Sequence, residues 1–175
     1  TRCYTEAQAE LNKAREIFLQ STKHLREEAL KLHPPALDLL GLHNSLLQHV
    51  KQVRENTGLR IRFVDATRPI KLTPKVQSFI LRTVQECLNN VIKHAKAQRV
   101  WLRLTSRGKH LQLTVRDDGR GFNAQGLNDR RGKHMGLSVI QEMSRMLGGE
   151  AAIVSSPGNG TRITVRLPLE RKHHD

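Results

Sequence analysis

Cysteine is scarce: Cys3 and Cys87 are the two thiols of a 175-residue chain. They form no disulfide framework and show no CxxC metal spacing, so a reducing, cytoplasmic setting is the expectation. Aromatic residues make up 3%. No aromatic string offers a stacking platform for bases, which argues against a nucleic-acid module. Glycine and proline, 12 and 6 residues, are too few for a collagen-like or disordered chain. No apolar run approaches the roughly 18 residues of a membrane span. The polar opening TRCYTEAQAELNK lacks the layout of a signal peptide. Thr1 is not an initiator, so the expectation is a fragment of a longer protein. Acids are outnumbered, 16 Asp and Glu against 30 Lys and Arg, for a formal charge of +14. That excess fits either an anionic partner (nucleotide, nucleic acid or acidic protein face) or solubility alone. Residues 1–33 hold six basic and five acidic residues, so +13 of the charge lies in residues 34–175.

A hydrophobic content of 37% and a charged content of 26% suit one soluble globular domain with an appendage. Residues 5–33 read as one long helix, with Leu11, Phe18, Leu25 and Leu32 recurring every seven residues. Ala7, Ala14 and Ser21 half-fill a second seam and Glu28 breaks it. His33-Pro34-Pro35 stops the helix. So narrow a stripe either packs on this domain or belongs to a bundle, and the bundle is the expectation. Asp38–Thr57 reads as a second helix with Leu39, Leu42, Leu46, Leu47 and Val50 on one side. LRIRFV (59–64) alternates as a strand does. Thr73-Pro74 opens a helix predicted to run to about Ala97. Two hairpins follow, one around 100–115 and one closing the chain, separated by a glycine-rich stretch (118–134) and a helix over Met135–Leu147. The first stretch reads as a long mobile loop; Gly148-Gly149 ends the helix. Apolar residues alternate on one strand face only, which predicts an α+β, two-layer sandwich with helices on one side of a sheet and water on the other.

Three segments carry chemistry. On the 74–97 helix, Glu86, Asn90 and Lys93 fall within about 60° of each other and opposite Ile80, Val84, Leu88 and Val91. A solvated face looks the same. An asparagine oxygen, however, is a hard neutral ligand suited to Mg²⁺ shared with phosphate oxygens. DDGRGF (117–122) follows a strand, and Gly119 and Gly121 let the backbone approach a ligand. Asp117 is placed to accept from an exocyclic amino group; an ordinary Asp-Gly turn is the alternative. The stretch 120–134, with Arg120, Arg130, Arg131 and Lys133, feeds into His134-Met135-Gly136-Leu137 at a helix start. Free N–H groups there favour an anion, as in a phosphate cradle. Neither GxxxxGK[ST] nor a first-strand GxGxxG is present. SSPGNGT (155–161) is good turn chemistry by itself.

Taken in order, E-x-x-x-N-x-x-K, D-x-G-x-G, a glycine-rich stretch ending in Gly-Leu, and a turn ending in Gly-Thr resemble the GHKL (Bergerat-fold) ATP-binding domain. LHPPALDLLGL (32–42) and VQECLNNVIKHAKA (84–97) are similar to the nitrate/nitrite-sensor type of histidine kinase, over roughly residues 20–168. The resemblance implies a mixed sheet with ATP between sheet and helices. It implies Asn90 as the Mg²⁺ ligand and Glu86 as the acid acting on the attacking group. Lys93 and His94 stand near the phosphates and Asp117 on the adenine amino group. Gly119, Gly121 and Phe122 fall in the hinge under the nucleotide. Gly132, His134, Met135, Gly136 and Leu137 fall in the lid's end, and Gly160 and Thr161 beside the adenine pocket. It further implies transfer of the γ-phosphoryl group to a histidine, relay to a response-regulator receiver domain, and a homodimer of a membrane-anchored sensor with this part in the cytoplasm. None of the nine histidines has the acceptor's "ELHD" context. The expected organisation is therefore 1–33 as the second helix of a dimerisation hairpin whose acceptor helix is absent, 34–169 as the ATP-binding domain, and 170–175 as a charged tail. An ATPase or ATP-binding regulator of the same fold without kinase activity is the rival reading.

Overall fold

The computed structural model describes residues 34–67, 70–123 and 135–169, with the separate positions Gln8, Leu11, Asn12, Ala14 and Ser21. Those five positions are all helical, and Leu11 is 71% exposed. The other residues of the expected seven-residue stripe lie outside the described residues. The ordered elements are α1 (Pro35–Thr57), β1 (Arg60–Ala66), α2 (Pro74–Asn90), a π-helical turn (Val91–Ala95), β2 (Arg99–Arg107), β3 (His110–Asp117), α3 (Met135–Met146), β4 (Glu150–Ser155) and β5 (Thr161–Pro168). The sheet runs β1-β2-β3-β5-β4. β1 and β2 are parallel and the remaining pairs antiparallel, so the five-stranded sheet is mixed.

Period-two patterning decides which way each strand faces. In β2, Val100, Leu102 and Leu104 are buried while Arg99, Arg103 and Arg107 are exposed. Leu111, Leu113 and Val115 of β3 and Ile163, Val165 and Leu167 of β5 complete the inner face. Against it pack Leu42, Leu46 and Val50 of α1, Ile80, Val84 and Leu88 of α2, and Ile140 and Met143 of α3. The result is the expected α+β two-layer sandwich, one sheet face covered and one open. Local signals act where they were expected. The Thr73 hydroxyl accepts from the Val76 N–H at the start of α2, with Pro74 in the first turn. Gly148, at φ +71°, turns the chain out of α3.

Two expectations change. The helix expected to run to about Ala97 reaches Ala95 but changes its winding: the α-helical part, α2, stops at Asn90, a wide π-turn spans Val91–Ala95, and Lys96 sits at φ 53°. The wide turn leaves the Ala95 carbonyl available to the Arg120 N–H, at 2.8 Å. In α1, Leu39 and Leu47 are 83% and 43% exposed rather than core. Gly41 breaks the helical backbone there (φ 71°, ψ 171°), so Leu37 and Leu42 reach the core on either side of the break and Leu39 does not.

One polar clasp ties α1 to the end of β1. The Asp65 carboxylate meets His43 Nδ1 at 2.6 Å and accepts from the Thr67 N–H and hydroxyl at 3.0 and 2.7 Å. Burial would raise this carboxyl, but the bonds from His43 and Thr67 outweigh it and hold it below its ordinary value. A depressed folded value contributes stability above the unfolded pKa and loses it as pH falls through the folded one. Asp65→Asn is therefore expected to cost about 1 kcal/mol at neutral pH. In urea unfolding the deficit should shrink towards zero in strong acid; a deficit independent of pH would remove the clasp from the account.

Candidate functional site

Asp117 is the last residue of β3, in phase with Leu111, Leu113 and Val115. Its side chain therefore enters the layer between sheet and helices, where it is 5% exposed. Burial pushes its carboxyl up. Donors from the Gly119 N–H, at 2.8 Å, and from the Thr161 N–H and hydroxyl pull the other way without cancelling it. Asp118, one residue on, points to the opposite side. There it accepts from the backbone N–H groups of Gln98 and Arg99, both at 2.9 Å, and those bonds outweigh its slight desolvation and lower its pKa. Period two thus sorts two adjacent carboxylates into a buried, protonation-prone group and a backbone tie.

The turn after β3 is packed too closely for side chains. A Cβ on Gly119 would lie 2.5 Å from the Ala95 carbonyl oxygen and 2.8 Å from Asp117 Oδ1. Gly121 and Gly160 hold φ of +59° and +67°, the left-handed region open to glycine. Arg120 bridges the two neighbours: its N–H donates to Ala95 and its carbonyl accepts from the Gly158 N–H at 2.7 Å. Ser155 Oγ accepts from the Phe122 N–H at 3.0 Å, donates to the Gly160 carbonyl at 2.9 Å and stands 3.1 Å from Thr161 Oγ1. So the end of the π-turn, the D-x-G-x-G turn and the β4–β5 turn form one rigid corner around Asp117.

Facing that corner, Asn90 Nδ2 donates to Glu86 Oε1 at 3.0 Å. This bond fixes the amide with its Oδ1 free of Glu86 and able to accept or ligate. The start of α3 presses on the same pair: any Cβ at Gly136 would overlap the Glu86 carboxylate. Helix N–H groups favour a carboxylate there.

These elements enclose a cleft of about 550 Å³, within the usual range for a small-molecule site. Asn90, His94, Asp117, Gly121, Phe122, Gly136, Leu137 and Thr161 line it. Gly119 and Gly160 lie behind Asp117 as backbone supports. Glu86 lines an adjoining groove of about 360 Å³ that shares Gly136 with the cleft. Lys93 is exposed and is not among the cleft's lining residues; the π-turn brings its neighbour His94 there instead. Gly132 and His134 lie outside the described residues, and Met135 is described only as the first residue of α3.

The sequence reading missed the apolar walls, Cys87, Val91, Ala95, Val115 and Ile163. Val115 and Ile163 are cross-strand partners next to Asp117, so the strand pattern that flagged them as core also flagged the wall. Burial, aided by the Glu86 and Asp117 carboxylates, pushes the Cys87 thiol far up, so it stays protonated and acts as an apolar wall. Among the described residues no group of three or more His, Cys, Asp or Glu side chains could hold a metal by itself. A cation here would need oxygens from a ligand and water, as Mg²⁺ bound with a nucleotide has. No helix among the described residues is long and apolar enough to cross a membrane.

Comparison with known proteins identifies the family and the fold. The chain is 34% identical over 172 residues to an uncharacterized sensor-like histidine kinase of Chloroflexus aurantiacus, a match covering 94% of this chain and 28% of that protein. It is 30% identical over 164 residues to the signal transduction histidine-protein kinase/phosphatase DegS of Brevibacillus brevis, covering 94% and 42%. The chain thus spans less than half the length of these curated relatives. Among solved structures, the histidine kinase domain of the Erythrobacter litoralis EL346 blue-light activated histidine kinase superposes with a TM-score of 0.59 at 25% identity, covering 82% of this chain and 73% of that one. The Acinetobacter baumannii histidine kinase AdeS shares the fold at a TM-score of 0.62 and 12% identity, covering 90% and 82%. Residues 75–171, from the first turn of α2 to beyond β5, match the family model and contain the whole Asn90–Asp117 cleft; the chain belongs to the histidine kinase-, DNA gyrase B- and HSP90-like ATPase family.

Proposed function

We propose that this chain is the catalytic ATP-binding part of a two-component sensor histidine kinase of the nitrate/nitrite-sensor type. The observation that carries the reading is the buried Asp117 carboxylate at one side of a cleft whose other side holds the oriented Asn90 amide. A carboxylate desolvated to this degree favours a ligand that donates to it, and the adenine amino group is such a donor. Thr161 and Gly119 aim the acceptor, Phe122 and Leu137 cover the purine, and the apolar walls exclude water from it. Asn90 would hold Mg²⁺ on the phosphates, and that ion would neutralise charge as it develops.

Phosphoryl transfer rests on positioning and on stabilising charge. The nitrogen of an acceptor imidazole attacks the γ-phosphorus. The bond from that phosphorus to the bridging oxygen breaks, and ADP leaves. Glu86 takes or orients the imidazole proton from its place beside Asn90 and the α3 N-terminus. His94 approaches the phosphates from the cleft lining. Lys93 offsets charge from the rim outside it. The acceptor histidine belongs to a helix of the same or a partner protomer in a dimer. A response-regulator receiver domain takes the phosphoryl group onward in the cytoplasm.

Titration with a fluorescent ATP analogue, with and without Mg²⁺, tests binding. Labelled ATP with an added acceptor helix tests transfer. Saturable Mg²⁺-dependent binding, displaced by ATP better than GTP, and label on the helix histidine are expected. Binding with hydrolysis but no label on any acceptor would favour an ATPase without kinase activity.

A further inference from the structure

Opposite the nucleotide cleft, the open face of the sheet forms a shallow trough of about 1120 Å³. Arg62, Arg103, Arg107, Arg116, Arg162 and Arg166 line it, and no carboxylate or lysine does. Strand register places them in a grid: Arg62, Trp101, Arg116 and Arg162 are successive cross-strand partners over β1, β2, β3 and β5. Arg116 and Arg162 therefore stand directly opposite each other, an arrangement that disfavours the bare sheet. Compensation among the described residues is slight. Arg166 reaches Glu150 at 3.8 Å from the trough's edge and Gln112 at 3.2 Å. The other five arginines have no ion pair among the described residues.

We infer that this face docks the carboxylate-rich surface of a partner protein. Exposed arginines offer planar forks that take carboxylates two bonds at a time, and neutral Thr114, Thr164 and Gln112 between them add hydrogen-bonding groups without opposing charge. Bases need large free aromatic faces; the one indole or phenyl ring here, Trp101, already carries the Arg116 guanidinium 5.3 Å from its centre, and the only other ring in the lining is the small imidazole of His110. A bilayer needs protruding apolar anchors, whereas Trp101 is half-buried in a depression. The inference does not depend on the nucleotide reading, because the two surfaces lie on opposite faces of the sheet.

The test uses a fluorescent glutamate-rich peptide as probe. Anisotropy is expected to show binding that weakens at least about tenfold when salt rises from about 0.05 M to about 0.5 M. R62E/R116E/R162E should weaken it at least about tenfold at low salt, with thermal unfolding reporting an intact fold. Should that variant not fold, R62Q/R116Q/R162Q, which keeps polarity, should weaken binding in the same direction. The charge-matched K51E/K75E/R145E, on the three helices, should leave it unchanged, and ADP should not compete. Equal loss in the helical-side variant, displacement by ADP, or tighter binding of single-stranded oligonucleotide or phosphatidylserine vesicles that the same reversals abolish would each overturn the inference.

Discussion

Asn90→Ala is expected to lower phosphoryl transfer at least about 100-fold, the scale seen when one preorganised charge-stabilising group is removed. Two losses coincide. The hard neutral oxygen that would hold Mg²⁺ disappears, and Glu86 Oε1 loses the amide donor at 3.0 Å that orients it. Asn90 is only half-buried near the end of α2, so the melting temperature should barely move. The comparison that decides is nucleotide affinity with and without Mg²⁺. The native protein should gain affinity from the ion and the variant should not. An unchanged Mg²⁺ increment in the variant would falsify the ligand role.

Asp117→Asn should separate binding from stability. In the nucleotide-free protein, burial holds the Asp117 carboxyl above its ordinary value. A raised folded value contributes stability below the unfolded pKa, and that contribution is lost as pH rises through the folded one. At neutral pH, burying a carboxyl that is ionised in the unfolded chain therefore lowers the stability of the free protein, and a neutral amide removes that penalty. The variant should melt at the same temperature or higher. Its affinity for ATP should nevertheless fall about 10- to 100-fold. If the amide oxygen keeps the Gly119 N–H, the amide NH₂ faces the adenine amino group, and donor meets donor. The preference for ATP over GTP should shrink with it. Native ATP affinity in a folded variant would show that Asp117 does not read the base.

Short-range physics accounts for what was legible. Period two in β2, β3 and β5 located the sheet's inner face, and the same alternation put Asp117 inward. Thr73-Pro74 and Gly148-Gly149 marked ends of α2 and α3 because caps act within one turn. The stretch 124–134 and most of residues 1–33, with the expected hairpin role, lie outside the described residues.

Errors arose where one backbone residue changes the phase of everything after it. Gly41 interrupts α1, so a helical wheel drawn through it puts Leu39 in the core although it is 83% exposed. The π-turn after Asn90 does the same for Lys93, which it leaves outside the cleft lining, while His94 lines the cleft. The π-turn has no strong local signature, since a distant contact accompanies it: the Ala95 carbonyl is turned towards Arg120, a residue 25 positions on.

By itself the sequence determined the elements, the covered and open faces of the sheet, and the chemical types at the cleft, because periodicity, caps and side-chain chemistry are local properties. Only the tertiary structure decided that Gly136 abuts Glu86, that His94 rather than Lys93 lines the cleft, and that arginines from four strands share one trough. Those are outcomes of strand register and helix packing, in which residues far apart in the chain settle each other's positions by excluded volume and by the hydrogen bonds their burial demands.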